Sequence, residues 1–122
     1  MKKIFLFIAL IFIFAGCLQS SPPHEESVTF TFEVTDGDLN LTEWEITTHE
    51  STVGAALLAE GLITGDAGAL GLFVTSVNGI VADWNADESW WAFYVDGEMS
   101  LLGVDGVPTE SGRTYAFVYT RG

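Results

Sequence analysis

Few side chains in this sequence are of the kinds that carry covalent or metal chemistry: one cysteine, Cys17, and two histidines, His24 and His49. Nucleophilic hydrolysis needs a base held beside its nucleophile. His49 stands among Thr47, Thr48 and Glu50, the composition of an exposed linker, and no Gly-x-Ser-x-Gly occurs. Zinc needs several His or Cys ligands at short spacing, which one histidine in the folded part and a lone cysteine do not supply. Asp83, Asp87, Glu88 and Asp96 are of the right type for the paired carboxylates of a glycosidase. With 17 Asp and Glu in the chain, however, such clusters arise without function. The sequence therefore reads as a non-enzyme with no metal site and no required cofactor. What remains is recognition through aromatic surface, offered by Trp84, Trp90, Trp91, Phe93 and Tyr94.

Two turns position these aromatics. Asn78-Gly79 and Asp96-Gly97 each accept positive φ at both central positions, as a tight hairpin requires. Trp90 and Trp91 are adjacent, so in a strand their side chains point to opposite faces. One enters the core; the other faces outward or lies under a loop. An outward tryptophan beside Trp84 would make an apolar patch rimmed by acids, the alternative being that helix and loops cover both.

The elements follow in chain order. Val28–Thr35 alternates Val28, Phe30, Phe32 and Val34 with polar residues, the pattern of a half-buried strand. After a turn at Asp36-Gly37-Asp38, a second strand is expected over 43–48. The turn resembles a calcium loop only briefly, because Leu41 and Thr47 occupy the positions that need Gly and Glu. Ser51 or Thr52 can cap a helix of about three turns with Val53, Ala56, Leu57 and Ile63 as apolar positions and Gly61 near its end. Residues 64–70, small and glycine-rich, read as a surface loop. Strands follow at 72–77, 90–95, 99–102 and 113–120, with loops at 80–89, around Trp84, and at 103–112. The last strand carries Tyr115, Phe117 and Tyr119 on one face and is expected inside a sheet. The fold class is α+β: a single small, mostly antiparallel sheet of about six strands with one short helix packed on it.

The first residues stand apart. Lys2 and Lys3 precede an apolar run over 4–14, too short to span a bilayer, which is an export signal. Phe14-Ala15-Gly16-Cys17 resembles the bacterial lipoprotein signal, with Phe14 where an aliphatic residue is usual. The resemblance implies cleavage before Cys17, a lipid on its thiol, and anchoring to the outer face of the cytoplasmic membrane, at the cell surface. The alternative is a small buried thiol ending a signal peptide or an uncleaved anchor. The organisation expected is a signal peptide over 1–16, a lipidated Cys17 with a polar tether over 17–27 that includes His24, and one domain over 28–122. A single cysteine allows no intramolecular disulfide. All 17 acids follow Cys17, against Arg113 and Arg121 alone, a balance that excludes nucleic acid and peripheral adhesion to anionic headgroups.

Phe73-Val-Thr-Ser-Val-Asn-Gly79, Trp91 and Tyr94-Val-Asp-Gly-Glu98, with Thr52-Val-Gly-Ala-Ala-Leu57 at the helix start and 108–112 before the last strand, resemble the carboxy-terminal domain of transcobalamin and intrinsic factor. The similarity runs over 28–120 and extends to small secreted prokaryotic domains. It implies a β-grasp-like sheet with one helix. In the vitamin carriers this domain closes over cobalamin with a large helical domain, for which this sequence has no counterpart. Phe73, Trp91 and Leu102 match positions near the ligand-facing edge. The resemblance thus implies a lipid-anchored extracytoplasmic binding module for a corrinoid such as cobalamin, or another flat, partly apolar ligand. The alternative is a cell-surface protein-interaction domain that uses a sheet edge or tryptophan patch and has no small-molecule ligand.

Overall fold

The computed structural model describes residues 26–69 and 71–122. The signal segment, Cys17 and His24 lie outside the described residues. The strands are β1 (Val28–Thr35), β2 (Leu41–Thr48), β3 (Ile63–Gly68), β4 (Gly71–Val77), β5 (Ile80–Val81), β6 (Ser89–Val95), β7 (Glu98–Met99) and β8 (Thr114–Arg121). The helices are α1 (Val53–Ala59) and α2 (Trp84–Asp87), and a 3-10 turn covers Val104–Gly106.

The expected single sheet is two. A five-stranded sheet runs β2-β1-β8-β6-β7, and a separate three-stranded sheet runs β3-β4-β5. All pairs are antiparallel except β1 with β8, where Phe32 stands beside Tyr115 and Val34 beside Phe117. β8 is interior, as its aromatic alternation requires. Phe30, Phe32, Val34, Ile46, Trp91, Phe93, Tyr115 and Phe117 form one core, completed by Val53, Ala56 and Leu57 of α1 and by Ile63 and Val77 of the small sheet. Burying side chains of this size stabilises by about 1.5–3 kcal/mol each, which is how the domain holds together without a disulfide.

Local signals explain several boundaries. Thr52 caps α1, its hydroxyl accepting from Ala55 N–H at 3.2 Å, and Gly61 follows the helix with φ 73°. The helix has seven residues, shorter than expected, and Ile63 belongs to β3 rather than to α1. Residues 64–70 were expected as a loop, but Ile63–Gly68 is a strand. Its glycine allows close approach: a Cβ on Gly65 would sit 2.9 Å from Val74 Cα and closer still to the Phe73 carbonyl. Asn78 and Gly79 have φ of 52° and 80°, and Asp96 and Gly97 of 50° and 88°, the double-positive turns that the dipeptides call for. The expected strand over 99–102 ends at Met99. The loop read over 80–89 contains β5 and α2 instead, α2 being capped by Asp83, which accepts from Asn85 and Ala86 N–H. Asp36 accepts from the N–H groups of Asp38 and Asn40, both at 2.9 Å, so its carboxylate closes the β1–β2 turn.

Candidate functional site

β7 runs beside β6 only at Tyr94 and Val95, and β5 beside β4 only at Ser76 and Val77. Between the uncovered lengths of β4 and β6 lies a cleft of about 310 Å³. Its walls are Leu72, Phe73 and Val74 from β4, Trp90, Trp91 and Phe93 from β6, and the chain from Met99 to Val104, with Phe117 also lining it. Phe73, Trp91 and Leu102, far apart in sequence, thus line one cleft.

Each arrives by a different route. At Thr64/Gly65 the β3–β4 register shifts: Thr64 pairs with Ser76 but Gly65 with Val74, leaving Thr75 as the extra residue of a bulge. A bulge reverses the in–out alternation. Val77 on one side of it is buried, Leu72 and Val74 on the other pack against the core, and Phe73 is left outward, 64% exposed. Trp91 is 6% exposed. Its indole N–H donates to the Ile80 carbonyl at 3.1 Å, and its ring meets Tyr119 edge-on at 5.3 Å. It is a core residue at the floor of the cleft, not an exposed platform. Leu102, 59% exposed, sits in a turn tied by Ser100, whose hydroxyl accepts from Leu102 N–H at 3.0 Å and donates to Leu102 O at 2.8 Å. Ser100 N–H in turn donates to the Phe93 carbonyl at 2.9 Å, which fixes this wall to β6. Val104 and Asp105 of the 3-10 turn pack against Gly54 of α1, and the Asp105 carboxylate accepts from Leu72 N–H at 3.0 Å. The two walls are thereby joined at one end.

Met99 and Leu101, at 51% and 99% exposure, also line the cleft. In the sequence they fall in the strand expected over 99–102. The signal that could have found them is the Leu101-Leu102 pair between Ser100 and Gly103, apolar residues that alternation cannot bury together. Trp84 is absent from the cleft lining and rests instead against Gly122 at the chain end. Of the two arrangements the sequence leaves open, an outward tryptophan beside Trp84 or both covered, neither brings Trp84 into this cleft, which Trp90 and Trp91 line without it.

Among the described residues, no charged side chain lines the cleft. Among the described residues, no group of three or more His, Cys, Asp or Glu side chains comes together as a metal site. Arg113 is held by Asp96 and Glu110, and Arg121 by Asp87. The N–H of Thr114, followed by the Arg113 guanidinium, holds the Asp96 carboxyl below the usual range. The Ser89 hydroxyl, and then Arg121, does the same for Asp87.

Known proteins show the same architecture. A crystal structure of a candidate metal-binding protein from Ruminococcus gnavus matches with TM-score 0.74 and 28% identity, over 78% of this chain and 98% of that one. Haptocorrin in complex with Cbi matches with TM-score 0.66 and 14% identity, over 85% of this chain but only 27% of haptocorrin. No curated protein matches the sequence. Residues 50–121, which include every wall of the cleft, match the family model described as Domain of unknown function (DUF4430). The chain belongs to that family, and its fold is that of a small transcobalamin-like domain.

Proposed function

We propose that this protein is a lipid-anchored extracytoplasmic binding module that takes a flat, partly apolar ligand, a corrinoid such as cobalamin being the leading candidate, in the cleft between β4 and β6. The observation that carries the reading is the convergence of exposed Phe73, Met99, Leu101 and Leu102 on one cleft floored by Trp91. Isolated exposed apolar residues are ordinary, but several around one concavity favour a ligand site. The volume is at the low end for small-molecule sites, so the cleft grips an edge of a large planar ligand and leaves the rest for another surface to cover. The fold shared with haptocorrin, found with Cbi, supports this choice of ligand. Among the described residues no titratable side chain lines the cleft, which favours binding without catalysis. Anchoring rests on the Cys17 motif. Among the described residues no helix is long and apolar enough to cross a membrane. Cys17→Ser is expected to release the protein from the membrane fraction, and unchanged membrane retention would sink the anchor.

Titration of the full chain with cobalamin and cobinamide, followed by tryptophan fluorescence and calorimetry, tests the ligand. Saturable binding is expected, weakened about tenfold or more in Phe73→Ala and Leu102→Ala, with melting temperature unchanged because both side chains are exposed. The second reading, a protein-interaction domain, is favoured by β2. Among the described residues, this eight-residue strand at the sheet margin pairs with β1 and no other strand. Absence of binding by either corrinoid, together with capture of a partner lost in β2 variants, would replace the first reading with the second.

A further inference from the structure

The strand β6 is paired along its whole length with β8 on one side, from Ser89 opposite Arg121 to Val95 opposite Tyr115. On the other side β7 reaches only Tyr94 and Val95. The Phe93 carbonyl points to that second side, where it accepts from Ser100 N–H. Main-chain groups two residues apart in a strand point the same way, so the N–H and C=O of Trp91 also point there, with no strand among the described residues beside them. That side is the cleft. The indole of Trp91 turns into the core, so what this residue offers a ligand is chiefly its main chain: one donor and one acceptor, side by side.

We infer that this open edge at Trp91 reads the rim of the ligand, and that the cleft selects planar ligands fringed with carboxamides over the same ligands fringed with carboxylates. The inference rests on reading the cleft as a ligand site. A primary amide carries both a donor and an acceptor and matches the Trp91 pair as an adjacent strand would. A carboxylate only accepts, so it can take the N–H but leaves the Trp91 carbonyl facing a like partial charge. The surroundings act in the same direction. The chain carries 17 acids against four Lys and Arg, no described lining residue is charged, and both described arginines are committed to acids. Glu98 and Asp105 flank the lining segment in sequence. Among the described residues, no cation lines the cleft to neutralise a carboxylate.

The test compares, on the full chain, cobyrinic acid with its fully amidated form, which share one ring and differ only at the rim. Binding of each is followed by tryptophan quenching at low salt and again at about 1 M salt, where the screening length is about 3 Å. The amidated ring is expected to bind at least about tenfold more tightly at low salt, with a preference that persists at high salt because a mismatched hydrogen bond is not screened. Equal affinities at low salt would overturn the inference while leaving the ligand reading intact. A preference that vanishes at high salt would overturn the role of the Trp91 edge and leave only repulsion by the acidic surface. Failure of both forms to bind, with cobinamide bound, would overturn the inference alone; failure of all three would overturn the ligand reading and the inference with it.

Discussion

Phe73, Trp91 and Leu102 share a cleft, yet they are unequal as residues. Trp91 is buried, hydrogen-bonded through its indole to Ile80 and packed edge-on against Tyr119 and Phe117. Its truncation removes core, so Trp91→Ala is expected to cost about 3–5 kcal/mol of stability. Phe73 and Leu102 spend most of their surface in water, and their truncation should shift stability by no more than about 0.5 kcal/mol. Chemical denaturation of the three variants checks this. A Trp91→Ala chain as stable as the parent would mean that the indole is not seated as described. The resemblance placed all three residues at the ligand edge, but residue type could not say which of them contributes a side chain. A tryptophan serves a core and a binding surface equally well, and its burial follows from what β8 and β5 bring against it.

The elements that place the site depend on a glycine and a bulge. Gly65 faces the Phe73 carbonyl and Val74 Cα with no room for a methyl group. Gly65→Ala is therefore expected to force β3 from β4 at the bulge, destabilising the domain by about 1–3 kcal/mol, and to weaken ligand binding as Phe73 loses its outward position. Amide exchange across β3 and β4 would report the separation; a variant with parental protection and parental affinity would show the bulge to be irrelevant to the site. This element was hidden in the sequence. The stretch TGDAGAL carries loop composition, and only pairing with β4 makes it a strand, a tertiary override of weak local preference. In β4 itself, strict alternation would have put Phe73, Thr75 and Val77 on one face; the extra residue at Thr75 breaks the pattern without leaving a mark in residue type. By contrast β1, β6, β8, the Thr52 cap and both Gly-containing turns were legible, because alternation, capping chemistry and positive φ are local requirements. The division into two sheets was not. It depends on β7 ending after two residues and on the Ser100–Leu102 turn taking the place beside β6 that another strand would have filled.

For the molecule as a whole, the acidic surface sets two opposed responses to pH. On the exposed face of the large sheet Glu33 stands directly opposite Glu43, and like charges in that register destabilise a strand pair. Partial burial, and then Glu43, raise the Glu33 carboxyl above its ordinary range. A carboxyl raised on folding favours the folded state when protonated, so this pair costs stability as pH rises through the span between the unfolded and folded values, and the cost is fully present at neutral pH. Asp96 behaves in the opposite way. The Thr114 N–H and Arg113 hold it low, so its contribution is present above the ordinary Asp range, about 3.9, and is lost as pH falls through the lowered folded value. Asp96 is exposed and Glu33 half-buried, so solvent screening keeps the effects small, but their signs differ and can be separated. Glu33→Gln is expected to raise the melting temperature at neutral pH and to make no difference in acid, where Glu33 is already protonated. Asp96→Asn is expected to lower it at neutral pH, where the charged contact with Arg113 and the strong acceptor for Thr114 are lost, with the deficit closing in acid. Melting curves of the two variants and the parent across the acid range decide the matter. If Glu33→Gln gained nothing at neutral pH, the Glu33–Glu43 pair would be fully screened by solvent, and the acidity of this surface would cost the fold nothing at that register.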